Sequence, residues 1–158
     1  MEKEDVERVS LVHRQAFIRQ RYSLEWIECN FRAFPRMQYF VAQEEGSVIG
    51  YIQWTERSGF REEVVLELEQ LAVMPARQGN GVGRRLIKES LPLVEKTIKT
   101  RGARIKHIVV TTRADNYAQR LYHSTFGAEV EATLFQLYSA DEVFMIARNV
   151  DVQSISRP

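Results

Sequence analysis

The spacing of apolar residues changes along this chain, and each change marks a new element. Val6, Val9, Leu11, Val12, Ala16 and Phe17 recur at helical intervals across residues 4–20, which predicts a first amphipathic helix. A second helix is expected over about 23–34. It must stop before Pro35, because the residue ahead of a proline is pushed out of helical geometry. The pattern then becomes strand-like in Tyr39–Gln43 and again in Ser47–Trp54, with the turn Glu44-Glu45-Gly46 joining them as a hairpin. A polar loop over 56–62 leads to a third strand over 63–73. The 3.6-residue period returns in Val82, Leu86, Ile87, Leu91, Val94 and Ile98, a helix ending near Gly102. Pro92 falls inside it and should kink it, since its ring removes one backbone hydrogen bond. A strand from Ile105 to Thr112, a helix over 115–125 and strands over 128–138 and 142–148 complete the series.

The order is therefore α-α-β-β-β-α-β-α-β-β. An antiparallel meander runs into a strand–helix–strand crossover, which makes two neighbouring strands parallel. The expected fold class is α/β: one mixed sheet with helices on both faces, in a single domain over 1–150. Residues 151–158 form a tail expected to fray.

Composition narrows the function. The 158 residues carry a formal net charge of +1, with acidic and basic residues interspersed, which argues against a nucleic-acid-binding arm or a polybasic membrane patch. The apolar runs are strand-sized, and Met1–Asp5 is acidic with no apolar signal core, so a cytoplasmic location is expected. Cys29 is the single cysteine and lies in an apolar run, where it reads as a small core residue. His13, His107 and His123 show no ligand spacing, so no metal site is expected.

The candidate chemistry begins at Leu71-Ala72-Val73-Met74-Pro75-Ala76-Arg77-Gln78-Gly79-Asn80-Gly81-Val82-Gly83-Arg84. A strand enters a glycine-rich loop that opens a helix. Such a junction leaves unpaired backbone N–H groups at the positive end of the helix, where a phosphate can sit. Glycines at 79, 81 and 83 let the chain turn tightly and let a bulky anion approach. A P-loop is excluded because no Gly-Lys-Ser/Thr follows, and a dinucleotide Gly-x-Gly-x-x-Gly is also missing. Three glycines by themselves also fit a turn without a ligand.

Gln78-x-x-Gly81-x-Gly83 directly after Leu71-Ala72-Val73 resembles the acyl-CoA-binding signature of the GNAT N-acetyltransferase superfamily. Asp115-Asn116-Tyr117-Ala118-Gln119-Arg120-Leu121-Tyr122 resembles its Asn-x-x-Ala-x-x-Leu-Tyr helix, with Asp115 at the usual Asn position, Asn116 one place late, and Gly127 five residues after Tyr122 rather than four; either Asp115 or Asn116 can cap this helix. The resemblance covers about residues 39–148 and implies a GNAT-like acyl-CoA N-acyltransferase fold whose usual first strand is short or missing. It implies that backbone amides from Gln78, Gly79, Asn80, Gly81, Val82, Gly83 and Arg84 hold the CoA pyrophosphate, with Arg84 adding charge. Leu71, Ala72 and Val73 would pair with the pantetheine arm and the acetyl carbonyl, and an N–H there would stabilise an oxyanion. Asn116 and Tyr122 would also contact the donor.

Acetyl transfer to an amine needs a base, because an amine is protonated at neutral pH, and an acid for the leaving thiolate. Glu67 and Glu69 alternate onto one face of their strand. By resemblance Glu69 is the base, while both carboxylates facing water is the other reading. Tyr122 is the expected general acid, since a phenol holds its proton at neutral pH; periodicity alone would make it a core tyrosine. Tyr22, Trp26, Phe34, Phe135 and Tyr138 are candidates for shaping the acceptor cleft.

The implied function is acetyl transfer from acetyl-CoA to a primary amine, on a small molecule or a protein, by direct attack in a ternary complex without a metal. The alternative is a sensor domain that binds acyl-CoA without transferring it. The absent first strand leaves room for a homodimer in which a neighbouring subunit supplies it.

Overall fold

The ten predicted elements are all present in the computed structural model, which describes residues 1–156. Helices α1 (Val6–Ala16) and α2 (Ser23–Phe31) precede β1 (Met37–Glu44), β2 (Ser47–Glu56) and β3 (Glu63–Val73). Then come α3 (Val82–Lys99), β4 (Arg104–Arg113), α4 (Ala118–Phe126), β5 (Glu129–Leu134) and β6 (Glu142–Arg148). One further α-helix, α5 (Val152–Ser156), was not expected. The tail does not fray there. Val152 is buried and Ile155 packs on the same core, so burial orders a segment whose sequence carries no helical period.

The six strands lie in the order β1-β2-β3-β4-β6-β5. Only β3 and β4 pair in parallel, across the α3 crossover, and the other neighbours are antiparallel. Among the described residues no strand precedes α1, and the Met1 amino group instead donates to the Tyr39 carbonyl of the edge strand β1. The β1–β2 turn places Glu45 and Gly46 at φ 49° and 78°, the pair of left-handed residues that suits the twist of a two-residue hairpin. No helix among the described residues is long and apolar enough to cross a membrane.

Two cores flank the sheet. On one face α3, α4 and α5 cover Ile52, Trp54, Leu66, Leu68, Ile108 and Val110. On the other, α1 and α2 bury Val9, Val12 and Ile27 against Tyr39, Tyr51 and Ala72. α3 runs unbroken through Pro92; Leu91, Val94 and Ile98, all fully buried, hold the helix on both sides of the lost hydrogen bond. Cys29 is exposed, contrary to its expected place in the core. The register of α2 turns Ile27 and Asn30 inward, which leaves Cys29 on the outer side.

Gly50 lies opposite Val73 where β2 meets the end of β3. A Cβ there would stand 2.9 Å from the Ala72 carbonyl oxygen, inside van der Waals contact with a backbone atom that cannot move alone. Gly50→Ala should therefore destabilise the fold by about 1–3 kcal/mol. Urea unfolding checks this, and an unchanged midpoint would show that the strands can separate there freely.

Candidate active site

The parallel ladder between β3 and β4 runs from Glu63 and Arg104 to Glu67 and Val109, and stops. Beyond that point β3 continues to Val73 beside β2, while Val110–Arg113 continues beside β6. The two strands therefore diverge into a cleft. Past Glu67 the β4-side edge of β3 has no strand opposite it, so its backbone groups are open to a ligand's hydrogen bonds, except the Val73 carbonyl, which accepts the Gln78 side-chain amide.

A bulge drives this divergence. Opposite β2, Gln70 pairs with Gln53 and Leu68 with Trp54, leaving Glu69 as the extra residue. One inserted residue bends a strand and reverses which side chains face which way. Before it, Leu66 and Leu68 enter the core under α3. After it, Leu71 and Val73 pack there while Ala72 faces α1. Gln70 also turns towards α1: it accepts the Tyr51 hydroxyl at 2.9 Å and lies 3.4 Å from His13 Nε2.

Glu69 sits on the α1/α2 side of the cleft. The Thr55 hydroxyl donates to its Oε2 at 2.7 Å, and Gln53 Nε2 donates to the same oxygen at 3.5 Å. Gln53 in turn accepts the Tyr39 hydroxyl at 2.9 Å. Glu67 lies nearby, half-buried, with Arg57 Nε at 3.6 Å. Burial pushes the Glu67 carboxyl above its ordinary range, Arg57 draws it down, and the Glu69 charge pushes it up again.

This has a consequence for stability. With the folded-state value above the ordinary 4.5, the native state binds the proton more tightly, so stability falls as pH rises through that window. Glu67→Gln removes the penalty. The variant should unfold at a higher temperature than the parent at pH 7, with the advantage gone at pH 4. The opposite order at pH 7 would mean that the Arg57 pair outweighs burial.

At the other end of the cleft the glycine loop is as open as its sequence suggests. Gly79 and Gly81 take φ 79° and 77°, and a Cβ on either would meet nothing within 4 Å. Gly81 is the N-cap of α3, which carries no acidic residue in its first turn. The first amides of the helix, including those of Val82, Gly83 and Arg84, have no carbonyl one turn back. Gly83 has a packing role: its Cβ position lies 3.4 Å from Leu121 and 3.6 Å from Leu71, where α3, α4 and β3 meet.

Three of the candidate side chains make hydrogen bonds within the protein. The Gln78 amide donates to the Val73 carbonyl at 3.0 Å, tying the loop to the strand end. Arg84 reaches across to α4 and donates to Ser124 Oγ at 2.8 Å, so its guanidinium is fastened beside the loop. Asn116 donates to Thr112 Oγ1 at 2.8 Å and accepts from the Ala118 amide at 2.9 Å. It thus caps the start of α4, while Asp115 forms a two-bond ion pair with Arg113. Asn80 is exposed in the loop.

Tyr122 lies on α4, buried against Phe126 with ring centroids 5.9 Å apart. Burial alone pushes its phenol up to about 12, so it is protonated at neutral pH. It belongs to the core under α3 and α4, whereas Glu69 is on the α1/α2 side. The two groups therefore stand on opposite faces of the sheet at the diverging strands.

Arg19, after α1, donates to Ser139 between β5 and β6, which bridges the two loops. Tyr22, Phe34, Phe135 and Tyr138 are strongly exposed and Trp26 partly so, leaving their side chains available to an acceptor. Sequence reasoning passed over Gln53 and Thr55, although polar residues alternating with Ile52 and Trp54 in a strand were a usable signal. A separate groove of about 490 Å³ lies between β1 and α3, lined by Phe40, Ile49, Leu86 and Leu93. Its Arg77 and Arg85 are paired with Glu44 and Glu89. Among the described residues no group of three His, Cys, Asp or Glu side chains is placed to hold a metal.

Comparison with known proteins agrees with this architecture. Three solved structures overlay nearly the whole chain. The ribosomal-protein-S18-alanine N-acetyltransferase from Escherichia coli has a TM-score of 0.74 at 21% identity, covering 94% of this chain and 90% of that one. An aminoglycoside 6′-N-acetyltransferase complexed with coenzyme A gives 0.72 at 17%, covering 99% and 94%. The protein yncA from Salmonella typhimurium, solved with its cofactor acetyl-CoA, gives 0.69 at 23%, covering 96% and 92%. At these identities the likeness establishes the fold. No functionally curated protein matches the sequence. The model of the acetyltransferase (GNAT) family matches residues 7–128, and with the diverging β3 and β4 strands and the glycine-capped α3 the chain belongs to that family.

Proposed function

We propose that the chain transfers an acetyl group from acetyl-CoA directly to a primary amine, with both substrates bound together. The observation that carries this reading is the cleft where β3 leaves β4. It runs from the open amides of α3, past Leu71, Ala72 and Val73, to Glu69 on one face and Tyr122 on the other. The residues fit the donor: the space around Gly79 and Gly81 admits a pyrophosphate, and the unpaired strand edge suits an amide-bearing arm.

Acetyl-CoA supplies an activated thioester. Glu69 takes a proton from the attacking amine, Tyr122 gives one to the departing sulfur, and a β3 amide holds the carbonyl oxygen as charge develops. The ammonium first gives one proton to solvent; Glu69 takes the second as the carbon–nitrogen bond forms, Tyr122 protonates the sulfur as the carbon–sulfur bond breaks, and exchange with solvent returns a proton to Tyr122 and removes one from Glu69. The acceptor reading rests on the paired carboxylates Glu67 and Glu69, which favour a cationic amine. The alanine and aminoglycoside acceptors in the names of two structural neighbours are amines as well.

A thermal-shift titration with acetyl-CoA, CoA, ATP and NAD tests the donor, since a ligand that binds only the native state raises its apparent stability. A shift with acetyl-CoA and CoA alone is expected. Thiol release in the presence of an alanine-initiated peptide, kanamycin or spermidine then tests transfer. Binding without release on any amine would instead support the acyl-CoA sensor.

A further inference from the structure

Glu69 is the end of a one-way string of hydrogen bonds. The Tyr39 hydroxyl has one proton and gives it to Gln53 Oε1. With its carbonyl used, Gln53 presents its amide nitrogen to Thr55 Oγ1 at 3.3 Å and to Glu69 Oε2 at 3.5 Å. Thr55 accepts that bond, so its own single proton goes forward to Glu69 Oε2 at 2.7 Å. Gln53 and Thr55 are 0% and 2% exposed, and buried polar groups of this kind hold one arrangement because an unmet donor is costly.

Both donors that reach the carboxylate, the Thr55 hydroxyl and the Gln53 amide, therefore meet the same oxygen, Oε2. A proton arriving at Oε2 would meet two hydrogens already directed there. Glu69 Oε1 receives no hydrogen bond among the described residues, and the side chain is only half-buried. The bulge adds to the effect: Glu69 is the extra residue opposite the Gln53–Trp54 step, so no ladder partner sets its direction and the string must.

We propose that Thr55 is a positioning residue that holds Glu69 by Oε2, so that Oε1 is the atom that takes the proton from the acceptor amine. This rests on the reading of Glu69 as the base. Thr55 itself touches neither substrate. Its hydroxyl fixes the rotamer of the carboxylate and keeps the second oxygen facing the cleft, a supporting role that catalytic groups commonly need.

The test uses the full-length chain and whichever of the alanine-initiated peptide, kanamycin or spermidine is acetylated fastest. Thr55→Val keeps the shape and removes the donor. Its kcat should fall about tenfold, the usual scale for a hydrogen bond to a charged group, with acetyl-CoA affinity within about twofold. Thr55→Ser, which restores the hydroxyl, should return kcat to within about threefold. Glu69→Gln should lower kcat by about a hundredfold or more. In that background Thr55→Val should change kcat by less than about twofold, because two residues acting as one unit are not additive. Gln53→Met, which removes the amide that orients the Thr55 proton, should cost about threefold and serves if Thr55→Val does not fold.

The outcomes separate the two readings. A Glu69→Gln variant with nearly full kcat removes the base assignment and this inference with it. A large loss in Glu69→Gln beside unchanged kcat in Thr55→Val and Gln53→Met leaves the base standing and overturns the positioning role. Thr55→Ser as impaired as Thr55→Val would assign the effect to packing. No turnover of any of the three amines would remove the transferase reading on which the inference stands.

Discussion

Gly81→Glu is expected to lower acetyl-CoA affinity at least about a hundredfold while the chain still folds. Gly81 caps α3 at φ 77° and ψ 0°, a conformation that costs an L-residue about 1–2 kcal/mol. No atom lies within 4 Å of the added Cβ, so the fold meets this strain without a steric clash. The buried stripe of Leu86, Ile87, Leu91, Val94 and Ile98 keeps α3 in place. The ligand suffers more. A carboxylate about 5 Å from a pyrophosphate charge repels it by about 3 kcal/mol at an effective dielectric constant of about 20, roughly two powers of ten in affinity. Gly81→Ala carries the backbone strain without the charge and should bind within about tenfold of the parent. Calorimetric titration with acetyl-CoA, beside urea unfolding, reads both quantities. If Gly81→Glu binds like the parent, the pyrophosphate does not sit at the start of α3.

Tyr122→Phe should lower kcat by about a hundredfold or more with acetyl-CoA affinity changed by no more than a few-fold. The ring remains in its place against Phe126, so packing and the cofactor wall persist while the proton is lost. Burial raises the phenol from its ordinary 10.0 to about 12, which keeps the acid loaded across the neutral range. The sign of the linkage follows. The native state holds this proton more tightly than the unfolded chain, so the stability it confers is full below pH 10 and is lost as pH rises through about 12. Relative to the Phe variant, the parent should therefore lose stability in that alkaline window and not near neutrality. Stopped-flow thiol release under saturating acetyl-CoA measures the kinetic effect. Equal losses of turnover and of binding would mean that Tyr122 holds the donor and does not supply a proton.

Much of the fold was legible because helices and strands announce themselves through short-range spacing. The period-2 and period-3.6 segments gave the element order, and β6 occupies the expected residues 142–148. The glycine loop was legible for a similar reason. Left-handed φ values at Gly79 and Gly81 are a demand that residues meet where they stand, so the chemistry of an α3 N-terminus can be read without a neighbour. Tyr122 needed the motif, since a buried aromatic on a helical stripe looks the same whether it packs or reacts.

What stayed hidden depends on which of several possible partners each side chain meets in the folded chain. Arg84, expected to add charge beside the loop, is held there by Ser124 on α4. Asn116 is held by Thr112 and by the Ala118 amide, one at each end of its side-chain amide. In each case two partners compete for one polar group, and only three-dimensional proximity decides between them. The outward turn of Cys29 and the ordering of α5 are decided likewise, by which face finds a core to join.

The sequence by itself determined the sheet's strands, the crossover and the glycine-rich entry into α3. Tertiary structure decided the register of β3 against β2, and with it the bulge at Glu69. That single offset turns Glu69 towards Gln53 and Thr55 and lets β3 leave β4. A register is a property of two strands together, because sliding one by a residue exchanges its faces, and neither strand's sequence contains it alone.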